Sequence, residues 1–397
     1  MIKKISILLL VMMLVSIVSI PVFAVEDYDA TLVANILSHT QVTHLQAKGS
    51  VLMDSATGQI LIEQNSHQKL PIASVTKIMS MLLIMEALDS GKIKYQDMVP
   101  VSVHSYDMGG SEVWLKPGEE FSVRDMMNAI AIHSANDATV AMAEFVSGSE
   151  DTFVSAMNEK AKALGMNDTH FHDCTGLDDM GVCSANDVAL MSRELITKHP
   201  NIFEFTKVWH ALFRNGKTSL DNTNKLLKNY DGTIGLKTGF TTKAGYNLSA
   251  VVKRGNLMLI SVVLGEPDSN TRFAETQKLM DYGFSNFEIN KVNSKGDKVT
   301  DANVIKGVET TVGGVLKNDV SLIIKKGEAG KIKKDIKLQE GITAPLKAGQ
   351  KIGEVIYKVD NKEIGKADIT AEKEVKKASF FRLFFRMILS WFGIGKK

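Results

Sequence analysis

Two serine–lysine pairs with the same internal spacing stand in close succession, Ser66-His67-Gln68-Lys69 and Ser74-Val75-Thr76-Lys77. A serine hydroxyl is a weak nucleophile until a base takes its proton, and a lysine can be that base only where desolvation lowers its pKa. Ser74 lies at the start of IASVTKIMSMLLIMEAL, a run apolar nearly all round, the mark of a helix buried at the centre of a domain. On that helix Lys77 falls one turn after Ser74, on the same face and toward the interior, and the helix N-terminus favours developing negative charge. Ser66 lies in a polar turn before Pro71, where Lys69 stays solvated and charged. The second pair is therefore the candidate nucleophile and base, and the first a decoy.

A lone Ser-x-x-Lys is common by chance, so its company decides. Ser134-Ala135-Asn136 and Lys237-Thr238-Gly239 follow in that order. With the contexts PIASVTKIMSMLL and GLKTGFTTKAGYNLSAVV, the chain resembles the penicillin-recognising serine enzymes, in particular the D-alanyl-D-alanine carboxypeptidases among the low-molecular-mass penicillin-binding proteins. The resemblance runs over nearly the whole chain after its N-terminal segment. It implies an α/β (α+β) domain of the transpeptidase/β-lactamase type, with an antiparallel sheet and a helical lobe.

The resemblance also implies roles. Ser74 would form an acyl-enzyme with the penultimate D-Ala of the peptidoglycan stem peptide, and Lys77 would be its general base. Ser134 would relay a proton to the departing D-Ala, while Asn136 would hold Lys77 and the substrate amide. Lys237 and Thr238 would meet the terminal carboxylate from an edge strand, and Gly239 would keep that strand bare so that substrate can lie along it. The N–H groups of Ser74 and Phe240 would form the oxyanion hole. Arg272 and Arg214 match family arginines near the carboxylate. β-Lactam antibiotics would be covalent inhibitors, and neither cofactor nor metal is implied. A β-lactamase shares the three motifs, but the Glu-x-x-Leu-Asn that would activate a deacylating water in class A enzymes is missing. A catalytically silent wall-binding protein is the second alternative, and three intact motifs argue against it.

Ser-Ala-Asn-Asp occurs twice, in HSANDATVA and in CSANDVALM. Both copies have the form of a helix start, a serine cap with an aspartate three residues on. The first follows an apolar helix over 122–132, so Ser134 sits in a tight turn between helices. The second follows CTGLDDMGVC, which reads as a surface loop. Ser134 and Asn136 are accordingly assigned to the active site, Ser184 and Asp187 to capping.

The elements that must position these residues are legible as patterns. KGSVLMDSATGQILIEQN reads as a hairpin, further helices are expected near 136–147, 151–164 and 185–198, and YNLSAVVK with LMLISVVLG makes a second hairpin before a helix near 271–282. Strand, helices, strand, helix is the order of one sheet with an inserted helical lobe. Lys3 and Lys4, the apolar run ISILLLVMMLVSIVSI and Val22-Phe23-Ala24 read as a secretory signal over 1–24, placing the body outside the cytoplasm. The catalytic domain is expected over 25–284. From 285 to 376 short alternating runs rich in Lys, Val, Ile and Gly indicate a small all-β, sandwich-like domain.

In the last segment, 377–397, Arg382, Arg386 and Ser390 share one helix face among aromatic and aliphatic residues. Too short to span a bilayer, it suits the interface, with Lys396 and Lys397 for anionic headgroups, on the outer face of the cytoplasmic membrane. A net charge of +2 over 397 residues gives no reason to invoke nucleic acid. Cys174 and Cys183 could form at most one local disulfide. His170 and His172 alternate as on a strand, which explains them without a metal.

Overall fold

The computed structural model describes residue 42 and residues 44–391. The segment over 1–24 read as a secretory signal and the Lys396-Lys397 pair lie outside the described residues. The central sheet has five antiparallel strands, β1 (Gly49–Asp54), β2 (Ile60–Gln64), β3 (Thr233–Thr241), β4 (Gly245–Arg254) and β5 (Leu257–Glu266), in the order β2-β1-β5-β4-β3. The strand bearing Lys237, Thr238 and Gly239 is thus an edge. Side chains alternate across the sheet. Val51, Met53, Val251, Ile260 and Val262 face the helical lobe, while Leu52, Leu248, Ala250, Val252 and Leu259 face Phe273, Leu279 and Met280 of the helix over Ser269–Asn286.

The lobe is built around helix α1 (Lys77–Asp89), where Ile78, Met79, Met81, Leu82, Ile84 and Met85 are all fully buried. A helix apolar on every side is stable only when surrounded, and α2 (Asn136–Ser147), α3 (Glu150–Ala163) and α4 (Ala185–Lys198) enclose it. The helix over Ser269–Asn286 is α5.

The expected helix over 122–132 is α-helical only at Val123–Asn128 and then widens into a π turn over Ala129–His133. Ser134 follows in the left-handed conformation, φ 67° and ψ 28°, and the Ala135 N–H donates back to the Ala129 carbonyl at 3.1 Å. That is a left-handed C-terminal closure, normally made by glycine. The expectation that Ser134 caps the next helix is therefore wrong. Ala135 stands at the N-cap of α2 and offers no side-chain cap. Ser184 does cap α4, accepting the Asp187 N–H at 3.2 Å.

Beyond α5 the chain forms strands β6 (Phe287–Asn293), β7 (Lys298–Asn303), β8 (Thr311–Leu316), β9 (Val320–Lys325), β10 (Lys333–Leu338), β11 (Lys351–Val359) and β12 (Lys362–Ala371). β6 pairs with β9, and the other five form an antiparallel sheet in the order β7-β8-β12-β11-β10. They enclose a separate core around Tyr357, Val355, Ile352 and Ile369. Helix α6 (Phe380–Trp391) closes the described chain.

Candidate active site

Ser74 sits in a single 3-10 turn, Ala73–Thr76, and the α-helix begins only at Lys77. Two glycines pack against this turn. A Cβ on Gly239 would lie 2.6 Å from the Ile72 carbonyl oxygen and 3.1 Å from the Ser74 nitrogen. A Cβ on Gly176, whose φ is +78°, would collide with the carbonyl of Ala73. Backbone therefore packs directly on backbone. Gly239 is needed for this contact, a reason different from the bare surface for substrate that the sequence suggested.

The Lys77 side chain is completely buried, and its ammonium donates to Ser74 Oγ at 2.9 Å, Asn136 Oδ1 at 2.6 Å and the Thr175 carbonyl at 2.8 Å. All three N–H groups are used, which fixes the nitrogen against the serine hydroxyl. Burial lowers its pKa to about 8, against the opposing influence of Cys174, Asp173 and Asp137. A lysine with that pKa releases and takes up a proton near neutrality. The decoy behaves as read: Lys69 is exposed, and Ser66 donates to Glu63.

Asn136 joins Lys77 to the opposite wall, since its Nδ2 donates to the Gly109 carbonyl at 2.8 Å. Its own N–H donates to Ser111 O at 2.6 Å, and Asp137 accepts the amides of Val113 and Leu115, so the loop over 109–115 wraps the start of α2. Ser134 is buried, yet its hydroxyl finds no hydrogen-bond partner. An unspent buried hydroxyl on a residue held in a strained conformation marks a functional position.

On β3, Lys237 is buried and donates to the Thr238 carbonyl at 2.9 Å. Burial pushes its pKa well below the ordinary lysine range, helped by the charges of Lys77 and Arg272. The Thr238 and Thr223 hydroxyls meet at 2.6 Å, and Thr223 N–H reaches the Ile132 carbonyl at 3.4 Å, so strand and π turn are linked through one residue. Phe240 is half exposed, its ring centroid 4.3 Å from that of Tyr246. Arg272, on α5, is buried and reaches Gly239 O at 3.4 Å and Asn247 O at 3.3 Å. Arg214 stands apart from this cluster. It donates to the carbonyls of Val113 and Trp114, pairs with Glu119 and lies over Phe121 and Phe213, clamping the loop that wraps α2.

Thr175, Gly176 and Thr223 belong to the site and were not singled out from sequence. The stretch CTGLDDMGVC is no simple surface loop: Cys174 and Thr175 are fully buried and Thr175 O holds Lys77. Cys174 and Cys183 are both free thiols, and burial raises the pKa of each.

The family model described as D-alanyl-D-alanine carboxypeptidase matches residues 36–268, and that of the penicillin-binding protein 5 C-terminal domain matches residues 287–377. The chain is 42% identical over 351 residues to the D-alanyl-D-alanine carboxypeptidase DacF of Bacillus subtilis, covering 87% of this chain and 90% of that one. Its fold resembles that of penicillin-binding protein 5 from Haemophilus influenzae, with a TM-score of 0.78 and 34% identity over 84% of this chain and 98% of the other. Penicillin-binding protein D2 from Listeria monocytogenes, solved in an ampicillin-bound form, is 33% identical with a TM-score of 0.56, over 61% of this chain and 98% of that one.

Proposed function

The chain belongs to the D-alanyl-D-alanine carboxypeptidases, serine peptidases of the penicillin-binding class, and from that premise we propose how its residues divide the reaction. Ser74 Oγ attacks the carbonyl carbon of the penultimate D-Ala of the stem peptide while neutral Lys77 takes the hydroxyl proton. The single observation carrying this reading is the buried Lys77 nitrogen held 2.9 Å from Ser74 Oγ with a pKa near 8.

The developing oxyanion is received by the N–H groups of Ser74 and Phe240, a reading supported by the close packing of the Ser74 turn on Gly239, the residue before Phe240. As the tetrahedral intermediate collapses, the amine of the terminal D-Ala leaves with a proton relayed from Lys77 through Ser134, whose hydroxyl is free for the task. Water then attacks the ester at Ser74, with Lys77 again the base, and the shortened stem peptide departs. Lys237, Thr238 and Arg272 hold the terminal carboxylate, Gly239 seats the Ser74 turn, and Arg214 supports the wall of Asn136 from behind. Penicillins enter by the same attack, opening the β-lactam ring to leave an ester on Ser74. The enzyme works from the outer face of the cytoplasmic membrane, held there through α6. In this reading the catalytic domain spans 25–284 and the β domain 285–376.

The test is incubation with benzylpenicillin, followed by peptide mapping in a mass spectrometer. A stable adduct of penicillin mass on the peptide bearing Ser74 is expected. An adduct on another serine, or fast release of penicilloate without accumulation, overturns the assignment.

A further inference from the structure

Behind β3 and β4 lies a cluster of buried charged side chains with one carboxyl more than its donors satisfy. Glu266, the last residue of β5, is 1% exposed, and neither carboxyl oxygen meets a hydrogen-bond donor. Its carboxyl faces that of Glu275 on α5, which is 3% exposed and accepts the backbone N–H groups of Gln46 at 2.9 Å and Ala47 at 3.2 Å. One turn before Glu275, Arg272 is 6% exposed and lies 5.4 Å over the ring of Tyr246, the ladder partner of Glu266. Its contacts with Gly239 O, Asn247 O and Ser269 Oγ are all long, at 3.4, 3.3 and 3.3 Å, its Nε has no partner, and among the described residues no carboxylate lies within ion-pair distance of it. Around the cluster stand Asp268 at the start of α5, Lys278 one turn beyond Glu275, and the Lys48 chain against Gly265.

Two carboxylates cannot both stay ionised in one dry space. Glu275 is satisfied as an acceptor by two amides, whereas Glu266 has no donor at hand and so holds the proton itself. Burial and the facing Glu275 together push the Glu266 pKa up to about 9. An ionised Glu266 would be the natural partner of Arg272. A neutral one leaves the guanidinium uncompensated beside the strand edge.

We propose that Glu266 is a positioning residue for recognition of the substrate's terminal carboxylate, acting through Arg272, whose positive charge it leaves free by remaining a neutral acid. The proposal rests on Arg272 as part of the carboxylate site. The opposing Glu275 is its necessary second member, since it keeps Glu266 neutral at the pH where the enzyme works.

The experiment measures kcat and KM for a diacylated peptide ending in D-Ala-D-Ala between pH 6 and pH 10, on the full exported chain and three variants. In the wild type KM rises about tenfold per pH unit once Glu266 ionises, with no corresponding change in kcat. Glu266→Gln keeps the wild-type KM at pH 7 and removes the rise. Glu275→Gln relieves the repulsion on Glu266 and moves the rise to lower pH, an opposite shift that a merely structural role would not produce. The proposal is overturned if the KM profile is the same in wild type and Glu266→Gln, or if Glu275→Gln leaves the rise in place. Arg272→Gln separates the two layers of the argument. A KM at pH 7 unchanged in that variant refutes the Arg272 assignment itself and the proposal with it; a raised KM beside an unaltered Glu266→Gln profile refutes the proposal alone.

Discussion

In the proposed mechanism Lys77 sets the pH at which the chemistry starts. Its folded pKa of about 8 lies below the ordinary lysine value because burial disfavours the ammonium. The base is the neutral amine, so the reactive fraction grows as pH rises and levels off above 8. Acylation by penicillin, followed by stopped-flow competition with a chromogenic β-lactam, should fall about tenfold per unit below that pH. An inflection near the ordinary lysine value instead would mean that Lys77 is not the base. The two Ser-Ala-Asn-Asp copies give a second test at this scale. Ser134 Oγ has no hydrogen bond to lose, so Ser134→Ala should leave the melting temperature nearly unchanged while slowing acylation by about 100-fold. Ser184 Oγ accepts the Asp187 amide, so Ser184→Ala should cost about 1 kcal/mol of stability and leave kcat/KM intact. Equal loss of activity in both variants would remove the distinction between them.

Among the elements, the 3-10 turn carrying Ser74 and the β3 edge behave as one unit, because Gly239 lets their backbones touch. Gly239→Ala places a methyl group 2.6 Å from Ile72 O, and the turn must move away from the strand. Displacement of a nucleophile by about 1 Å costs on the order of 100-fold in rate. Penicillin acylation of Gly239→Ala should fall by that factor while circular dichroism stays native. Wild-type acylation in this variant would dissociate the turn from the strand. The same contact explains what the sequence could and could not reveal. Ser74, Lys77, Ser134, Asn136 and Lys237 stand in short local motifs, and the alternation in YNLSAVVK and the apolar run of α1 disclose sheet and central helix through spacing alone. Thr175 O, Gly176 and Thr223 act through backbone or through one long-range contact, which leaves no periodic trace. The Ser134 closure escaped because a serine before Asn-Asp has the composition of a cap, while its left-handed backbone is imposed by the π turn packed beneath it. Arg214 matched by position, but its partners Glu119, Val113 and Trp114 lie far off in sequence.

At the scale of the whole molecule, the terminal helix is the element to which the proposed membrane attachment falls. The sequence pattern placed Arg382 and Arg386 on one face of a helix suited to the membrane interface. In the structure Arg386 turns inward and donates to the carbonyls of Gly307 and Val308, tying α6 to the β domain. That leaves Phe380, Phe381, Phe385 and Met387 exposed, with Trp391 at 89% exposure, on a helix whose described residues are too few to cross a bilayer. Apolar area of this kind is costly in water and gains by entering the headgroup boundary, where each buried CH₂ contributes about 0.8 kcal/mol. Membrane attachment should therefore depend on the aromatic face more than on Arg386. In flotation with vesicles containing phosphatidylglycerol, the double variant Phe381→Glu with Phe385→Glu should lose most bound protein, while kcat and KM on a soluble D-Ala-D-Ala peptide stay at wild type. Arg386→Ala frees the helix from the β domain without shrinking its apolar face, and should retain binding. Vesicle binding that survives the double glutamate but disappears with Arg386→Ala would assign the interaction to charge and return α6 to a packing role.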